Sequence, residues 1–490
     1  MLININNLKK AAAFTLLIAG AVSCGKIKDF GSTNVNPAAT TEPITSALLT
    51  NIEVGLSARV YDNTSQMFVQ YFSEAEYPGA QLYAIPQIDF AGTYSASLYD
   101  AKNILNKSTS DVEKAAVRIL KAYIFSTITD RWGDVPYSEA LNGVIPKYDT
   151  QESIYKDLLK ELSEAAVQLD GGGAIKGDIM YNGVTSSWKK LANTLRMRLA
   201  LNLAKRYPAA SEYAAQQFSA AYTAGGITTN ADNFKLAYPG NAFRNPYYET
   251  NLQLRDDGYS DRMYNLLSSF GDARNGVYGS SAVPVPYGLS EGQINTWRQA
   301  NPGWARQFAD AHRTETSPLY VATAAETLLA AAEAADRGWI SASPSALLQA
   351  GVNASFAQWN LAAPSASYFS QTGVAISNPV GTGANLKAIA TQRYIAYYPD
   401  GIQGWNVWRA TGFPVLTPTI AANCLSASHT TIPRRYTYGT GEYSLNPAGV
   451  AAANAGSQGA DVQESRVCGI NNKILIFRMK FTFILNILIK

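Results

Sequence analysis

The sequence predicts a mainly α-helical fold that carries one long irregular portion. Apolar residues recur at helical spacing in several segments of about 15 to 20 residues, and short connections join these segments. Residues 225–318 differ, because helical periodicity fades there and Gly, Pro and Asn punctuate the chain. Loops longer than about 15 residues are usually functional or disordered. The many aromatic residues of 225–318 argue against disorder, so we expect an ordered, loop-rich portion.

The first 23 residues have the features of a secretory signal. Lys9 and Lys10 precede an apolar stretch, 11–21, that is too short to span a bilayer. Small residues then lead to Cys24, and the segment resembles the lipobox of bacterial lipoproteins, where the Cys becomes the first residue and is acylated. It departs at Ala21, where Leu is commoner. We expect a signal peptide at 1–23 and a lipid on Cys24; the alternative is a plain secreted protein with an incidental Cys.

A tether is predicted to separate the lipid from the folded body. Residues 25–43 are polar and rich in Asn, Thr, Pro and Gly, a composition typical of flexible linkers. We therefore assign 24–43 to the lipidated Cys and tether, and 44–467 to the body.

Four helices are predicted in the first half of the body. Segment 112–129 places its apolar residues on one face. Thr150 can cap a second helix, in which apolar residues recur every four positions. Thr185 begins a third, and the Ala-rich segment 211–224 forms a fourth that ends at a pair of glycines.

Two more helices are predicted after the irregular portion. Segment 319–337 is nearly uninterrupted in Ala and Leu, and Gly338 terminates it. Ser343 and Pro344 then supply an N-cap and a first helical residue. Successive helices with short connections favour stacked antiparallel pairs, a tetratricopeptide-like geometry, although no 34-residue repeat is legible.

Charge and cysteine usage exclude several classes of function. Residues 1–23 hold two lysines and no acid, and 469–490 hold four basic residues and no acid, so the segment between carries a net charge of −3. This balance does not indicate a nucleic-acid partner. His312 and His429 stand far apart, with no Cys or His at ligand spacing, so we expect no zinc site and name no metal ligands, and the sequence leaves open whether a calcium ion shapes a loop. If Cys24 is acylated, Cys424 and Cys468 are too few for a disulfide framework.

A motif directly after the first strong helix carries a family resemblance. Residues 130–140 have the sequence Asp-Arg-Trp-Gly-Asp-Val-Pro-Tyr-Ser-Glu-Ala, which resembles a signature of the SusD/RagB family of nutrient-binding lipoproteins from the Bacteroidetes outer membrane. Other segments are similar to family motifs in the expected order: 29–37, 148–155, 178–183, 331–338, 392–394, 404–409 and 412–414. The resemblance covers about 24–467.

The resemblance implies a SusD-like fold, a tetratricopeptide-like helical scaffold with an irregular ligand-binding portion. It also implies a binding protein, not an enzyme, that sits on a SusC-type TonB-dependent transporter at the outer face of the outer membrane. Members present oligosaccharides, or sometimes peptides, to that transporter. No cofactor is implied beyond the covalent lipid on Cys24. Within the motifs, Trp132, Asp134, Pro136 and Trp405 are expected to be scaffold or core residues.

The end of the chain departs from the family pattern. The family usually closes on an aromatic-rich Arg-Val/Leu-Trp-Trp-Asp sequence, whereas here Arg466 and Val467 lead into Cys468. Residues 468–490 are then dominated by Ile, Phe, Asn and Lys, and their longest uncharged run is too short to span a membrane. Our hypothesis is that an altered reading frame has replaced the native terminus over 468–490; resequencing that finds an intact frame would refute it.

Aromatic and polar residues of two irregular stretches are the candidate ligand contacts. Sugar rings present an apolar C–H face on which aromatic rings stack, while Asp, Asn and Arg bond the hydroxyl groups. The candidates are Tyr77, Tyr83, Tyr94, Trp297 and Trp304, with Arg298 and Asp256 as polar partners. For each of them, local packing of a long loop is an equally good explanation.

Two other classes of function stay open. A helical glycan-degrading enzyme would need two carboxylates facing a cleft, and Asp256, Asp257 and Asp261 cluster in the sequence. However, adjacent acids at an exposed turn are common, and the sequence contains no Gly-x-Ser-x-Gly, no His-Glu-x-x-His and no phosphate-binding Gly loop. The second class is a helical protein-interaction scaffold, in which the aromatic loops would be incidental.

Overall fold

The computed structural model describes residues 44–84, 87–143, 145–253, 256–456 and 458–467. In chain order its helices are α1 (Thr45–Gly55), α2 (Ser57–Val60), α3 (Asn63–Phe68), α4 (Ala91–Thr93), α5 (Tyr99–Lys107), α6 (Asp111–Trp132), α7 (Gln151–Gln168), α8 (Thr185–Asn202), α9 (Tyr213–Ala224), α10 (Pro246–Gln253), α11 (Asp261–Ser269), α12 (Asn275–Tyr278), α13 (Glu291–Ala300), α14 (Ala324–Asp336), α15 (Pro344–Gln358), α16 (Ala366–Ser370), α17 (Leu386–Ala396), α18 (Gly401–Thr411), α19 (Thr440–Leu445) and α20 (Pro447–Ala455). The predicted signal peptide, Cys24 with its tether, and the tail 468–490 lie outside the described residues.

The strands are short and form three antiparallel pairs. They are β1 (Phe72–Glu74) with β5 (Asp257–Tyr259), β2 (Val135–Pro136) with β3 (Tyr148–Asp149), and β4 (Phe234–Leu236) with β6 (Leu319–Ala322). The described part of the chain is therefore mainly helical, as predicted. None of its helices combines the length and the apolar character that crossing a membrane requires.

Consecutive helices pack side by side in the first half of the body. α6 packs against α7, α7 against α8, and α8 against α9. The Ser110 hydroxyl accepts a hydrogen bond from the Glu113 N–H at the start of α6, and the Thr150 hydroxyl accepts one from the Ser153 N–H at the start of α7. The helix predicted at 112–129 is confirmed, and so is the cap at Thr150.

The second half repeats this arrangement, with one correction to the sequence prediction. The predicted helix 319–337 begins only at Ala324, because 319–322 form strand β6 and pair with β4. Thr323 and Glu326 close a capping box that fixes the start of α14. α14 packs against α15 and α17, and the Ser343 cap with Pro344 in the first turn of α15 is confirmed.

Buried ion pairs join helices from different parts of the stack. Arg198 of α8 pairs with Glu326 of α14, and each side chain is less than 5 % exposed. Glu333 of α14 likewise pairs with Arg393 of α17. Because removing one partner would leave an uncompensated charge in the core, such pairs strongly constrain which helices can be neighbours.

The irregular portion at 225–318 contains short elements rather than a bare loop. Strands β4 and β5 and helices α10 to α13 lie within it. The motif residues Trp132, Asp134, Pro136 and Trp405 are all buried, in agreement with the core or scaffold role expected of them.

Helix α18 approaches the segment that leads into β1 more closely than a side chain would allow. A Cβ added to Gly404 would lie 2.2 Å from the Tyr71 hydroxyl oxygen. Tyr71 is fully buried, and its hydroxyl donates to the Tyr394 carbonyl of α17. Gly404 therefore lets α18 pack against the residue that directly precedes β1.

Replacing Gly404 with Ala is expected to destabilise the protein by about 1–3 kcal/mol, the usual cost of overpacking a core, because Tyr71 must move. Chemical denaturation measures the effect. The control is Gly441→Ala in α19, where an added Cβ meets nothing within 4 Å, and it should be neutral or stabilise the helix by up to about 1 kcal/mol. Equal stabilities of the two variants would contradict the packing described here.

Candidate functional site

The pairing of β1 with β5 brings two distant parts of the irregular stretches together. Glu74 lies opposite Asp257 in the antiparallel register. Just beyond β1, the N–H groups of Ala75 and Glu76 both donate to the Asp256 carbonyl, at 2.7 and 3.1 Å. The backbone before β5 thus holds the turn that leads to Tyr77.

Tyr77 stands on this turn with its ring in solvent. It is 73 % exposed, and its φ of 51° lies in the left-handed region, which is uncommon for a bulky residue. The Glu74 carboxylate fixes the turn, because it accepts hydrogen bonds from the N–H groups of Gly79, Ala80 and Gln81. Burial raises the pKa of Glu74, and these three hydrogen bonds act in the opposite direction.

Helix α13 supplies the cation that faces this turn. A capping box of Ser290 and Gln293 begins the helix. Arg298, two residues before its end, pairs with Glu76, with 2.9 Å between Nη1 and Oε2. Partial burial and the negative charge of Glu76 raise the pKa of Asp256, while Arg298 lowers it. The Arg298 guanidinium therefore stabilises the negative charge of both Glu76 and Asp256.

Two tryptophans border the same place. Trp297 and Trp304 are half-buried and pack against a small apolar cluster of Ala75, Val285 and Ile294. Trp304 comes close to β5 only because residue 258 is glycine, since an added Cβ there would lie 2.9 Å from the indole ring. Both indoles keep part of their surface accessible.

Five of the seven residues predicted from sequence therefore lie together. We call this the Tyr77–Trp304 surface, and it comprises Tyr77, Asp256, Trp297, Arg298 and Trp304 with the additional Glu76. Sequence reasoning missed Glu76, although its position directly before Tyr77 in an aromatic stretch was the available signal. The surface combines exposed aromatic rings with two carboxylates and one guanidinium.

Tyr83 does not belong to this surface. Its side chain is fully buried, and its hydroxyl accepts a hydrogen bond from the Thr419 N–H at 2.9 Å. No face of the ring is left for a ligand, so the prediction of Tyr83 as a ligand contact is wrong for this structure. The residue instead joins the turn after β1 to the segment around Thr419.

Tyr94 is placed elsewhere. Its ring packs against Phe90 and Phe125, and its hydroxyl donates to the Pro136 carbonyl at 2.6 Å. Part of Tyr94 lines a separate, mainly apolar cavity of about 480 Å³ together with Ile145 and Leu445. The structure therefore does not join Tyr94 to the Tyr77–Trp304 surface.

Two further carboxylates lie behind the surface. Burial, Glu74 opposite and Asp256 beside it raise the pKa of Asp257 to about 8, and a hydrogen bond with Asn63 acts in the opposite direction. Close carboxylates can bind cations, but no group of His, Cys, Asp and Glu in the described ranges has an arrangement that could hold a metal ion. Burial raises the pKa of both Glu74 and Asp257 and so favours the protonated form of each.

The chain was compared with protein families, with curated proteins and with solved structures. The model of a SusD-like family, described as starch-binding and associating with the outer membrane, matches residues 37–439. Among curated protein sequences, none matches the chain.

Several solved structures resemble the chain over most of its length. A chitin-binding protein is 27 % identical, with a TM-score of 0.74, over 87 % of this chain and 100 % of its own. A chitin-binding SusD homologue from Flavobacterium johnsoniae is 23 % identical, with a TM-score of 0.77, over 87 % and 99 %. A SusD homologue from Bacteroides fragilis is 22 % identical, with a TM-score of 0.76, over 87 % and 100 %. These likenesses confirm the helical fold.

Replacing Asp257 with Asn should flatten part of the pH dependence of stability. Since the pKa of Asp257 rises from 3.8 to about 8 on folding, the folded protein holds a proton that the unfolded chain has released, and stability falls as pH rises between these values. The neutral amide removes this contribution, worth up to about 1.4 kcal/mol per pH unit.

Urea denaturation at pH 5, 6, 7 and 8 measures the effect. The free energy of unfolding of Asp257→Asn should approach that of the wild type at pH 5 and exceed it at pH 8. The control Asp111→Asn removes an exposed carboxylate at the start of α6 and should keep the wild-type slope. Parallel curves for the wild type and Asp257→Asn would refute a proton held at this position.

Proposed function

The chain belongs to the SusD-like family, described as starch-binding proteins that associate with the outer membrane, and on this premise we propose that it is a cell-surface glycan-binding lipoprotein. The family is described by binding rather than by a reaction, and the chain is accordingly a binding protein and not an enzyme. In our proposal the bound glycan passes to a SusC-type TonB-dependent transporter.

The convergence of residues on the Tyr77–Trp304 surface is the observation that carries the proposal. An exposed tyrosine and two partly exposed tryptophans offer flat apolar faces, which suit the C–H face of a sugar ring. Glu76 and Asp256 can accept hydrogen bonds from sugar hydroxyls, and Arg298 can donate to them. Ligand-binding sites commonly combine apolar and aromatic side chains with a few precisely placed polar groups in this way.

The positions of these groups are fixed before any ligand arrives. The Ala75 and Glu76 N–H groups are bonded to Asp256, and Arg298 is bonded to Glu76. Little ordering is then required on binding, which favours affinity for a weakly interacting, hydrated ligand such as an oligosaccharide.

Two glycans are the first to test. The family description names starch, and two of the similar structures are of chitin-binding proteins. We therefore propose maltoheptaose and chitotetraose as probes, with a peptide ligand as the alternative within the family.

Anchoring and partnership are the other two parts of the proposal. The lipobox-like sequence before Cys24 supports a covalent lipid at that residue, and the polar segment 25–43 supports a flexible tether. Such a tether would let the body move over a transporter while staying at the membrane. Membership of an outer-membrane-associated family supports the same location.

Truncating Tyr77 to Ala should weaken glycan binding about fivefold or more, because aromatic residues are enriched among the contacts whose truncation costs more than about 1 kcal/mol. Its exposure of 73 % makes an effect on folding small. Isothermal titration with maltoheptaose and chitotetraose measures the change, and Trp297→Ala should act in the same direction. The control is Tyr99→Ala on α5, also an exposed tyrosine at 50 %. Unchanged affinity in both site variants would exclude this surface as the binding site.

Replacing Cys24 with Ser should move the protein from the membrane fraction to the soluble fraction, because the acyl acceptor is lost. Fractionation and metabolic labelling with a fatty acid measure the effect in cells. Ser23→Ala, which keeps a small residue before the Cys, is the control and should remain membrane-bound. Labelled Cys24→Ser protein would refute acylation at this residue.

Detergent extraction of the tagged wild type should also recover a TonB-dependent barrel.

A further inference from the structure

The mainly apolar cavity beside Tyr94 takes no part in the proposed glycan site. Its volume of about 480 Å³ lies within the range of pockets that bind small molecules. Residues from three distant stretches of the chain form its wall, and the apolar ones include Phe90, Tyr94, Pro136, Leu141, Ile145 and Leu445. A concave, mainly apolar site with a few polar groups is the usual form of a ligand pocket.

Two large apolar side chains of this wall are exposed to solvent. Ile145 is 72 % exposed and Leu445 is 73 % exposed. A single exposed apolar residue is ordinary on a protein surface, but these two come from separate stretches and line the same cavity. Together with the cavity they form one apolar patch, and such patches often mark binding sites.

Hydrogen bonds hold the three stretches of the wall together. The Tyr94 hydroxyl donates to the Pro136 carbonyl at 2.6 Å. The Asn446 side-chain amide donates to the Pro146 carbonyl at 2.7 Å, and its oxygen accepts the Gly449 N–H at 3.1 Å. The cavity is therefore formed before a ligand binds, so little ordering is required on binding.

Glu442 is the one charged side chain that the described wall of the cavity contains. The Tyr148 hydroxyl donates to one oxygen of its carboxylate. An ionised carboxylate can accept about four hydrogen bonds, so this neutral donor leaves both the charge and most of the acceptor capacity available.

The surroundings of Glu442 are negative. Burial and the charge of Asp89 raise the pKa of Glu442, while the hydrogen bond from Tyr148 lowers it. In the part of the chain that the structure describes, no ion pair involves Glu442 or Asp89. Two lysines close to the wall are already engaged, since Lys147 pairs with Glu139 at 3.2 Å and Lys102 donates to the Leu141 carbonyl. A cation supplied by a ligand would stabilise the carboxylate.

We propose that this cavity binds an apolar amine, with its aromatic or alkyl part against the apolar wall and its ammonium group on Glu442. Hydrogen bonds between an ammonium and a carboxylate are about twice as strong as those between neutral groups. Beside an apolar wall, which excludes water, the attraction between the two charges is also screened less than at an open surface. The inference goes beyond the proposed function and does not depend on it.

The test uses three probes that share one apolar body and differ in charge. Phenylbutylamine is positive at neutral pH, phenylbutanol is neutral and phenylbutyrate is negative. In calorimetric titration of the full-length protein, the amine should bind about fivefold tighter than the alcohol, and the acid should bind weakest. The advantage of the amine should shrink when NaCl is raised to about 0.5 M, because salt screens the charges.

Variants then identify the cavity as the cause. Glu442→Gln keeps an acceptor for Tyr148 but removes the charge, and it should bring the affinity for the amine to within about twofold of that for the alcohol. Its matched control, Asp111→Asn, removes an exposed carboxylate at the start of α6 and should keep the preference.

A second pair of variants tests the apolar wall. Leu445→Ser should weaken all three probes, because it removes apolar contact from the cavity. The control Val167→Ser, at a position of α7 that is 68 % exposed, should change none of them. Both sites are exposed, so neither variant should disturb folding.

The outcomes separate this inference from the glycan proposal. Equal binding of the amine and the alcohol, or a preference that survives Glu442→Gln, overturns the ammonium site. Failure of all three probes to bind the wild type overturns the cavity as a ligand site. Titration of the same protein with maltoheptaose and chitotetraose tests the proposed function independently, and Glu442→Gln should bind these glycans as the wild type does.

Discussion

The arrangement of the ligand surface depends on hydrogen bonds from both edges of strand β5. One edge pairs with β1, which fixes the turn to Tyr77. On the other edge, the Tyr259 N–H donates to the Ala305 carbonyl at 2.9 Å, and the Val285 N–H donates to the Tyr259 carbonyl at 2.8 Å. Three separate segments are thus fastened to three buried residues. Gly258, in the middle, leaves the space that the Trp304 ring occupies.

Tyrosine side chains connect this irregular portion to the helical stack. Tyr278 stacks on Tyr398 with 4.0 Å between ring centroids, and the Tyr398 hydroxyl donates to the Tyr278 carbonyl at 2.7 Å. The Tyr278 hydroxyl in turn donates to the Ile395 carbonyl of α17 at 3.0 Å. A buried tyrosine adds apolar area, and its hydroxyl gives a second hydrogen bond to a carbonyl that already accepts one from a backbone N–H, that of Phe308 at Tyr278 and that of Tyr398 at Ile395. This explains why a tyrosine-rich chain can order a long portion that has little secondary structure.

The sequence predicted the helical scaffold well because caps and periodicity are local. The Thr150 and Ser343 caps lie where the hydroxyl side chains indicated. The start of α14 was predicted too early: Leu319 and Ala322 suit a helix, but Tyr320 and Val321 favour a strand, and 319–322 pair with β4. No local pattern reveals a partner strand more than 80 residues earlier in the chain. The error therefore has two sources, mixed local propensities and a tertiary contact that the local sequence does not show.

The candidate ligand contacts show the same limit, because local sequence does not tell which of them are exposed. Tyr77 and Tyr83 lie six positions apart, yet one is 73 % exposed and the other fully buried. In an irregular stretch, no periodicity tells which side chain points inward, so the sequence could nominate both and could not rank them. Trp297, Arg298 and Trp304 could be proposed from composition. Only the structure shows that Arg298 pairs with Glu76 and that both tryptophans pack against the cluster containing Ala75.

Family membership and ligand chemistry rest on different parts of the chain. Solved structures at 22–27 % identity share the fold over 87 % of this chain. Within this chain, buried ion pairs and close glycine contacts hold the stack without reference to a ligand. The residues that would contact a glycan are side chains on turns, which can change without disturbing the stack. Glu76, Asp256 and Arg298 carry the charges of the Tyr77–Trp304 surface, and the polar contacts available to a ligand follow from them. A scaffold that stays constant while its turns vary can present different ligand surfaces.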